Sequence, residues 1–192
     1  MKVGAWAAVA VMVAVPLVGC SSNDGAEPTP GSGSPTVSLV PSPFGTPPAD
    51  ADVAPTDVNL TIVAKKGEKT FTRDDLSALP QATAVAKNPQ EWLEDAPGLP
   101  AEQTFVGVPV SDLFIAAGIP GDAKVRFSAA DDYKVTMPVS KLVASEGLVA
   151  IDGDGVPLTP EYGGPVRLVF PDGSGVGEKY WVLWLQEIKQ VS

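Results

Sequence analysis

Histidine is missing altogether from the 192 residues, and cysteine occurs once, at position 20. Without imidazole there is no Ser-His-Asp or Cys-His nucleophile system, no histidine metal ligand and no side chain that shuttles protons near neutral pH. With a single thiol, in an N-terminal stretch ahead of the core-forming sequence, zinc, copper, haem and iron–sulfur sites built on nitrogen and sulfur donors are excluded. A disulfide within the chain is excluded too. Arginine is scarce: Arg73, Arg126 and Arg167 are the whole supply. With a net charge of -10 and an isoelectric point near 4.3, nucleic acid and anionic lipid surfaces make poor partners.

What is present divides the chain into three materials. Residues 1–19 carry one positive charge, Lys2, then an apolar run from Val3 to Val18 that is too short and too weakly flanked to read as a membrane span. Leu17-Val18-Gly19-Cys20 resembles the lipobox of bacterial lipoproteins, which implies cleavage before Cys20 and a diacylglyceryl group on its sulfur. The expected location is the extracytoplasmic face of the cell membrane, reached through that lipid anchor. Residues 20–57 are rich in Ser, Gly, Pro and Thr and nearly free of aromatics. They cannot bury enough apolar surface to offset the entropy of ordering and read as a disordered tether, spanning roughly 35 Å as a coil.

Residues 58–192 have the length of one ordinary domain. Val58, Leu60 and Ile62 alternate with polar residues as a half-buried strand. Thr72-Arg73-Asp74-Asp75 opens a short helix with Thr72 as N-cap, and Pro80 stops it. Ala82 to Lys87 forms another strand, and 88–103 is a polar excursion carrying Trp92. Pro109 starts a helix whose apolar positions Val110, Leu113, Phe114 and Ala117 share one face, with Gly118 as C-terminal cap. Lys124 to Ser128 and Tyr133 to Met137 alternate as a hairpin around Asp131-Asp132, and Ser140 caps a helical turn. Leu148 to Ile151 and Val166 to Phe170 are buried strands joined by a loop with turns at Asp152-Gly153 and Asp154-Gly155. Tyr180 to Ile188 reads as a strand through the middle of a sheet. Strands outnumber short helices, so the class is α+β with a β-rich mixed-sheet core.

The carboxylates offer little chemistry by themselves. Asp152 and Asp154 lack the glutamate that would close a calcium loop, since Tyr162 stands at its place, and turn formation accounts for them. Asp131 and Asp132 point to opposite faces of an extended chain and make a poor acid–base pair. Gly173 to Gly177 lacks the ending of a phosphate loop and reads as a hairpin connection.

In order, Phe105-Val106-Gly107-Val108 with Leu113-Phe114 and Gly118, Ser128 to Tyr133, Leu148-Val149-Ala150, Gly155-Val156-Pro157-Leu158, Gly163-Gly164-Pro165-Val166-Arg167 and Trp184-Leu185-Gln186-Glu187-Ile188 are similar to the successive motifs of the sulfite oxidase-type molybdopterin-binding family. The resemblance implies that family's fold over 58–192 and, in an active member, a molybdenum held by a pyranopterin dithiolene and one cysteine thiolate. That thiolate would follow the strand at 82–87, where this chain has Lys87, Asn88 and Gln90. Asp132 replaces a glycine of the pattern, Leu183 a lysine, and the His and Arg residues that hold the pterin phosphate are missing.

Two functions follow. One is a ligand- or partner-binding module without redox chemistry and with no cofactor, taking a small anionic ligand or a membrane protein. The other is a molybdopterin-dependent oxidoreductase of the sulfite oxidase type. By the same resemblance Asp131, Tyr133, Arg167, Lys179 and Tyr180 line the ligand cleft, with the pairing of Arg167 to a carboxylate as its alternative role. The anchor is open to direct test. Two or more acyl chains, at about 0.8 kcal/mol per buried methylene, hold a protein to a membrane stably. Cys20→Ala protein is therefore expected in the soluble fraction after cell lysis, whereas wild-type protein sediments with membranes; equal sedimentation would refute the anchor.

Overall fold

The computed structural model describes residues 44–54, 56–95 and 99–192, so the expected signal segment, Cys20 and most of the tether lie outside the described residues. Ten strands and four α-helices follow in chain order: β1 (Leu60–Ala64), β2 (Gly67–Phe71), α1 (Arg73–Ala78), β3 (Ala82–Lys87), α2 (Gln90–Asp95), β4 (Glu102–Pro109), α3 (Val110–Ala117), β5 (Lys124–Ala129), β6 (Lys134–Pro138), α4 (Val139–Ala144), β7 (Leu148–Gly153), β8 (Val156–Pro157), β9 (Arg167–Val169) and β10 (Leu185–Gln190). The α+β class with a mixed-sheet core is what the sequence pattern implies.

One sheet has the order β2-β1-β10-β5-β6 and the other β3-β4-β7-β8, with β9 also pairing with β7. Only β1 and β10 run parallel; the remaining pairs are antiparallel. A two-residue bridge, Leu168 to Val182, links β9 to the segment ahead of β10 through hydrogen bonds of 2.9 and 3.2 Å. Leu60, Ile62, Phe127 and Ile188 from the first sheet and Phe105, Val149 and Leu168 from the second share a single apolar core.

Local chemistry explains where these elements begin and end. Thr72 caps α1 as expected: its hydroxyl accepts from the Asp75 amide, and the Asp75 carboxylate accepts from the Thr72 amide at 2.9 Å, a reciprocal box. The Asp75 carboxylate accepts from both the amide and the hydroxyl of Thr72, and these bonds hold it below its usual range. Gly118 ends α3 with φ 69°, a left-handed conformation that glycine adopts without cost. Gly107 sits at a β-bulge where β4 crosses close to β7, and a Cβ there would lie 2.1 Å from the Val149 carbonyl oxygen.

The structure departs from the sequence pattern in several places. Residues 90–95 of the polar excursion are helical, as α2. Helix α4 starts from Pro138, so Ser140 lies in its first turn and caps nothing. Strand β7 continues through Asp152-Gly153, and the turn is made by Asp154-Gly155 alone. Tyr180 to Ile188 is not one strand: Glu178–Tyr180 is a 3-10 turn, Trp184 takes φ 48°, and β10 begins only at Leu185 before running through the centre of its sheet. The Trp184 backbone is held there by its amide donating to the Gly163 carbonyl at 2.7 Å and its carbonyl accepting from Ala130 at 3.0 Å, which is how a bulky residue persists in a strained region.

Packing also begins ahead of Val58. Ala49–Ala51 forms a 3-10 turn with Ala51 buried, Asn59 donates to the Ala54 and Asp57 carbonyls at 3.1 and 2.7 Å, and Gln186 donates to the Asp50 carbonyl at 2.9 Å. A chain beginning at Val58 is accordingly expected to melt about 5 °C or more below one beginning at Phe44 in a calorimetric scan; identical melting would mean that these contacts are not formed in solution.

Candidate functional site

A cavity of about 450 Å³ opens where α2, the β5–β6 turn and the 3-10 turn at Glu178–Tyr180 meet. The β5–β6 turn supplies Asp131 and Tyr133, the 3-10 turn supplies Glu178 and Lys179, and α2 supplies Glu91. Trp92 and Trp181 form a wall, their rings edge to face with centroids 5.9 Å apart. The hairpin geometry places Tyr133: its amide donates to Asp131 Oδ1 at 3.0 Å, and its hydroxyl donates to the Lys179 carbonyl, tying the two turns together. Burial, then the nearby Asp131 charge, raise the Tyr133 pKa above the ordinary phenol value, so it remains a neutral donor at physiological pH.

Of the five residues singled out from the sequence, Asp131, Tyr133 and Lys179 come together in this cavity. Tyr180 does not line it; its ring lies beneath the ammonium groups of Lys141 and Lys179, 5.0 and 5.2 Å from the ring centre. Arg167 lies behind the tryptophan wall and is only 1% exposed. Glu91, Trp92, Glu178, Trp181 and Phe44 were not legible as site residues; Trp92, a lone indole in a polar stretch, was the one available signal.

Among the described residues Arg167 has no carboxylate partner. The ion pairs among the described residues are Arg73–Asp152, Lys87–Asp172 and Lys134–Asp132. Its guanidinium carbon instead lies 4.9 Å from the ring centre of Phe105, 5.5 Å from Phe44, 5.6 Å from Trp92 and 5.9 Å from Trp181. Nη1 donates to the Tyr162 carbonyl at 3.4 Å, whereas Nε and Nη2 have no partner. Burial without a counter-ion pushes its pKa down to about 9. Ring faces attract a cation and offset part of the lost hydration.

The position of Asn88, directly after β3, is structural in this chain. Its Nδ2 donates to the Pro100 carbonyl at 2.8 Å and to Gln103 Oε1 at 2.9 Å, while Oδ1 is buried with no donor. A smaller cavity of about 240 Å³ adjoins, lined by Asn88 and sharing Glu178 and Trp181 with the larger one.

This enclosure makes Arg167 a stability determinant. Arg167→Ala leaves a void among four rings and is expected to cost about 3 kcal/mol, while Arg167→Met, which fills the space without a buried charge, costs less or stabilises. Because the folded-state pKa is depressed, the unfolded chain binds more protons above pH 9 or so, and stability rises with pH in that window. Urea unfolding at pH 7 and pH 10 should therefore show wild type gaining on Arg167→Met at the higher pH; a constant difference between the two would mean the guanidinium is not desolvated.

The comparisons with known proteins agree with this architecture. The sulfane dehydrogenase SoxCD from Paracoccus pantotrophus has a similar structure, with a TM-score of 0.58 and 25% sequence identity over 72% of this chain and 39% of that one. The chain thus spans about two fifths of the length of that solved protein. Comparison with curated proteins returned no match. A family model for the oxidoreductase molybdopterin binding domain matches residues 45–192, and on that match, which covers most of the sequence, the chain belongs to this family.

Proposed function

We propose that the protein is a membrane-anchored lipoprotein of the extracytoplasmic face whose molybdopterin-binding-type domain serves as a ligand- or partner-binding module and performs no redox chemistry. The observation that carries this reading is the donor set. A molybdenum pyranopterin in this fold is held by a thiolate, and the resembled position after β3 offers Lys87, committed to Asp172 at 2.7 Å, and Asn88, whose amide hydrogens go to Pro100 and Gln103. Among the described residues no group of three or more His, Cys, Asp or Glu could hold a metal.

The anion-receiving groups fail in the same way. Arg73 donates to the Ile151 carbonyl and to Asp152, and Arg167 is closed off by four aromatic rings. The residues present therefore do not fit the cofactor, and no catalytic step is derived through it. Function is read from a site and not from the fold that carries it. What the domain retains is the cleft itself, of a size suited to a small molecule or to a side chain of a partner, with polar groups converging on an aromatic wall.

Elemental analysis is the direct test. Protein produced in a host that makes molybdopterin should contain far less than one molybdenum per chain and show no charge-transfer absorption. Stoichiometric metal with such a band would instead establish the molybdopterin-dependent oxidoreductase.

A further inference from the structure

The chemistry of the cleft specifies what kind of ligand it accepts. Three carboxylates face it, Glu91, Asp131 and Glu178, and none takes part in an ion pair among the described residues. One ammonium, Lys179, stands against them. Behind these charges are the indoles of Trp92 and Trp181, which present aromatic surface to the cavity. Glu178 and Trp181 line both this cavity and the smaller one, which Asn88 also lines.

An anion placed here would meet three like charges and could reach only Lys179. Arg167, packed against both indoles, is 1% exposed and does not line the cavity. A cation finds the reverse: carboxylates outside any ion pair among the described residues, and indole surface beside them. Arg167 repels such a ligand through the wall, but the cavity-side carboxylates outnumber it.

From this the geometry points to a small organic cation, a guanidinium or primary ammonium on a short aliphatic arm, as the ligand of the cleft. The inference rests on the reading of this cleft as a binding site free of metal, and it replaces the anionic ligand expected from the sequence. The arm lies along Trp92 and Trp181, and the charged head bonds Glu178 with Glu91 or Asp131 beside it.

Agmatine, which carries a guanidinium and a primary ammonium, is the probe. Titrated into the full chain at low salt and followed by calorimetry and tryptophan fluorescence, it should bind, while inorganic phosphate and the neutral butanamide should not. The double variant Glu91→Gln, Glu178→Gln changes two exposed side chains, and its fold is checked by circular dichroism. It should weaken agmatine binding by about fivefold or more, as should raising the salt to about 0.5 M. Phosphate binding in preference to agmatine, equal affinity in the double variant, or no agmatine heat up to about 10 mM would each overturn the inference. Molybdenum is measured on the same preparation. Metal-free protein that ignores agmatine sinks this inference alone, whereas stoichiometric molybdenum sinks the binding-module reading beneath it.

Discussion

A guanidinium without an anion beside it is the constraint around which this domain is arranged. Taking such a charge out of water costs several kcal/mol even after the surroundings relax. Each ring face returns about 0.5 to 2 kcal/mol, so one aromatic contact cannot offset the loss and four come close to it. The four rings around Arg167 come from separate places in the chain: Phe44 ahead of β1, Trp92 on α2, Phe105 on β4 and Trp181 ahead of β10. Keeping one buried charge tolerable thus gathers four distant segments, and two of the same rings then serve as the back wall of the cleft.

The framework that carries the site can be traced residue by residue. The scaffold is intact: two sheets share one core, β4 approaches β7 closely at Gly107, and the loop before β9 delivers its arginine inward. Directly after β3, Asn88 closes the segment back onto Pro100 and Gln103. A side chain that bridges its own backbone in this way stabilises an irregular connection.

Much of the fold was legible because local signals agreed with the final structure. Thr72, Pro109 and Gly118 mark helix ends by capping chemistry that depends on neighbours a few residues away, and the alternation in β5 and β6 fixes their hairpin. The site was legible only in part. Asp131 and Tyr133 follow from the hairpin turn, but Glu91 and Trp92 reach the cleft through α2, a six-residue helix with no periodic signal. Trp184 misled the strand assignment because its left-handed backbone is imposed by Gly163 and Ala130, partners remote in sequence. Phe44 was hidden for a related reason: tether composition says nothing about one aromatic residue whose partners lie on the domain.

The parallel pairing of β1 with β10 has a consequence for how the domain comes into being. Thr61, Ile62 and Val63 lie opposite Glu187, Ile188 and Lys189, so the first strand of the domain finds its neighbour only in the last. On its other side it has only the hairpin partner β2, whose side chains are mostly exposed. Until residues 185–190 have left the ribosome and become free to pair, the central position of the first sheet is vacant and β5 lacks its inner neighbour. Contacts between residues so far apart in sequence form slowly, because the intervening chain must be ordered before they reward it. The growing chain can therefore build the second sheet early, but it completes the first only once residues 185–190 are free to pair.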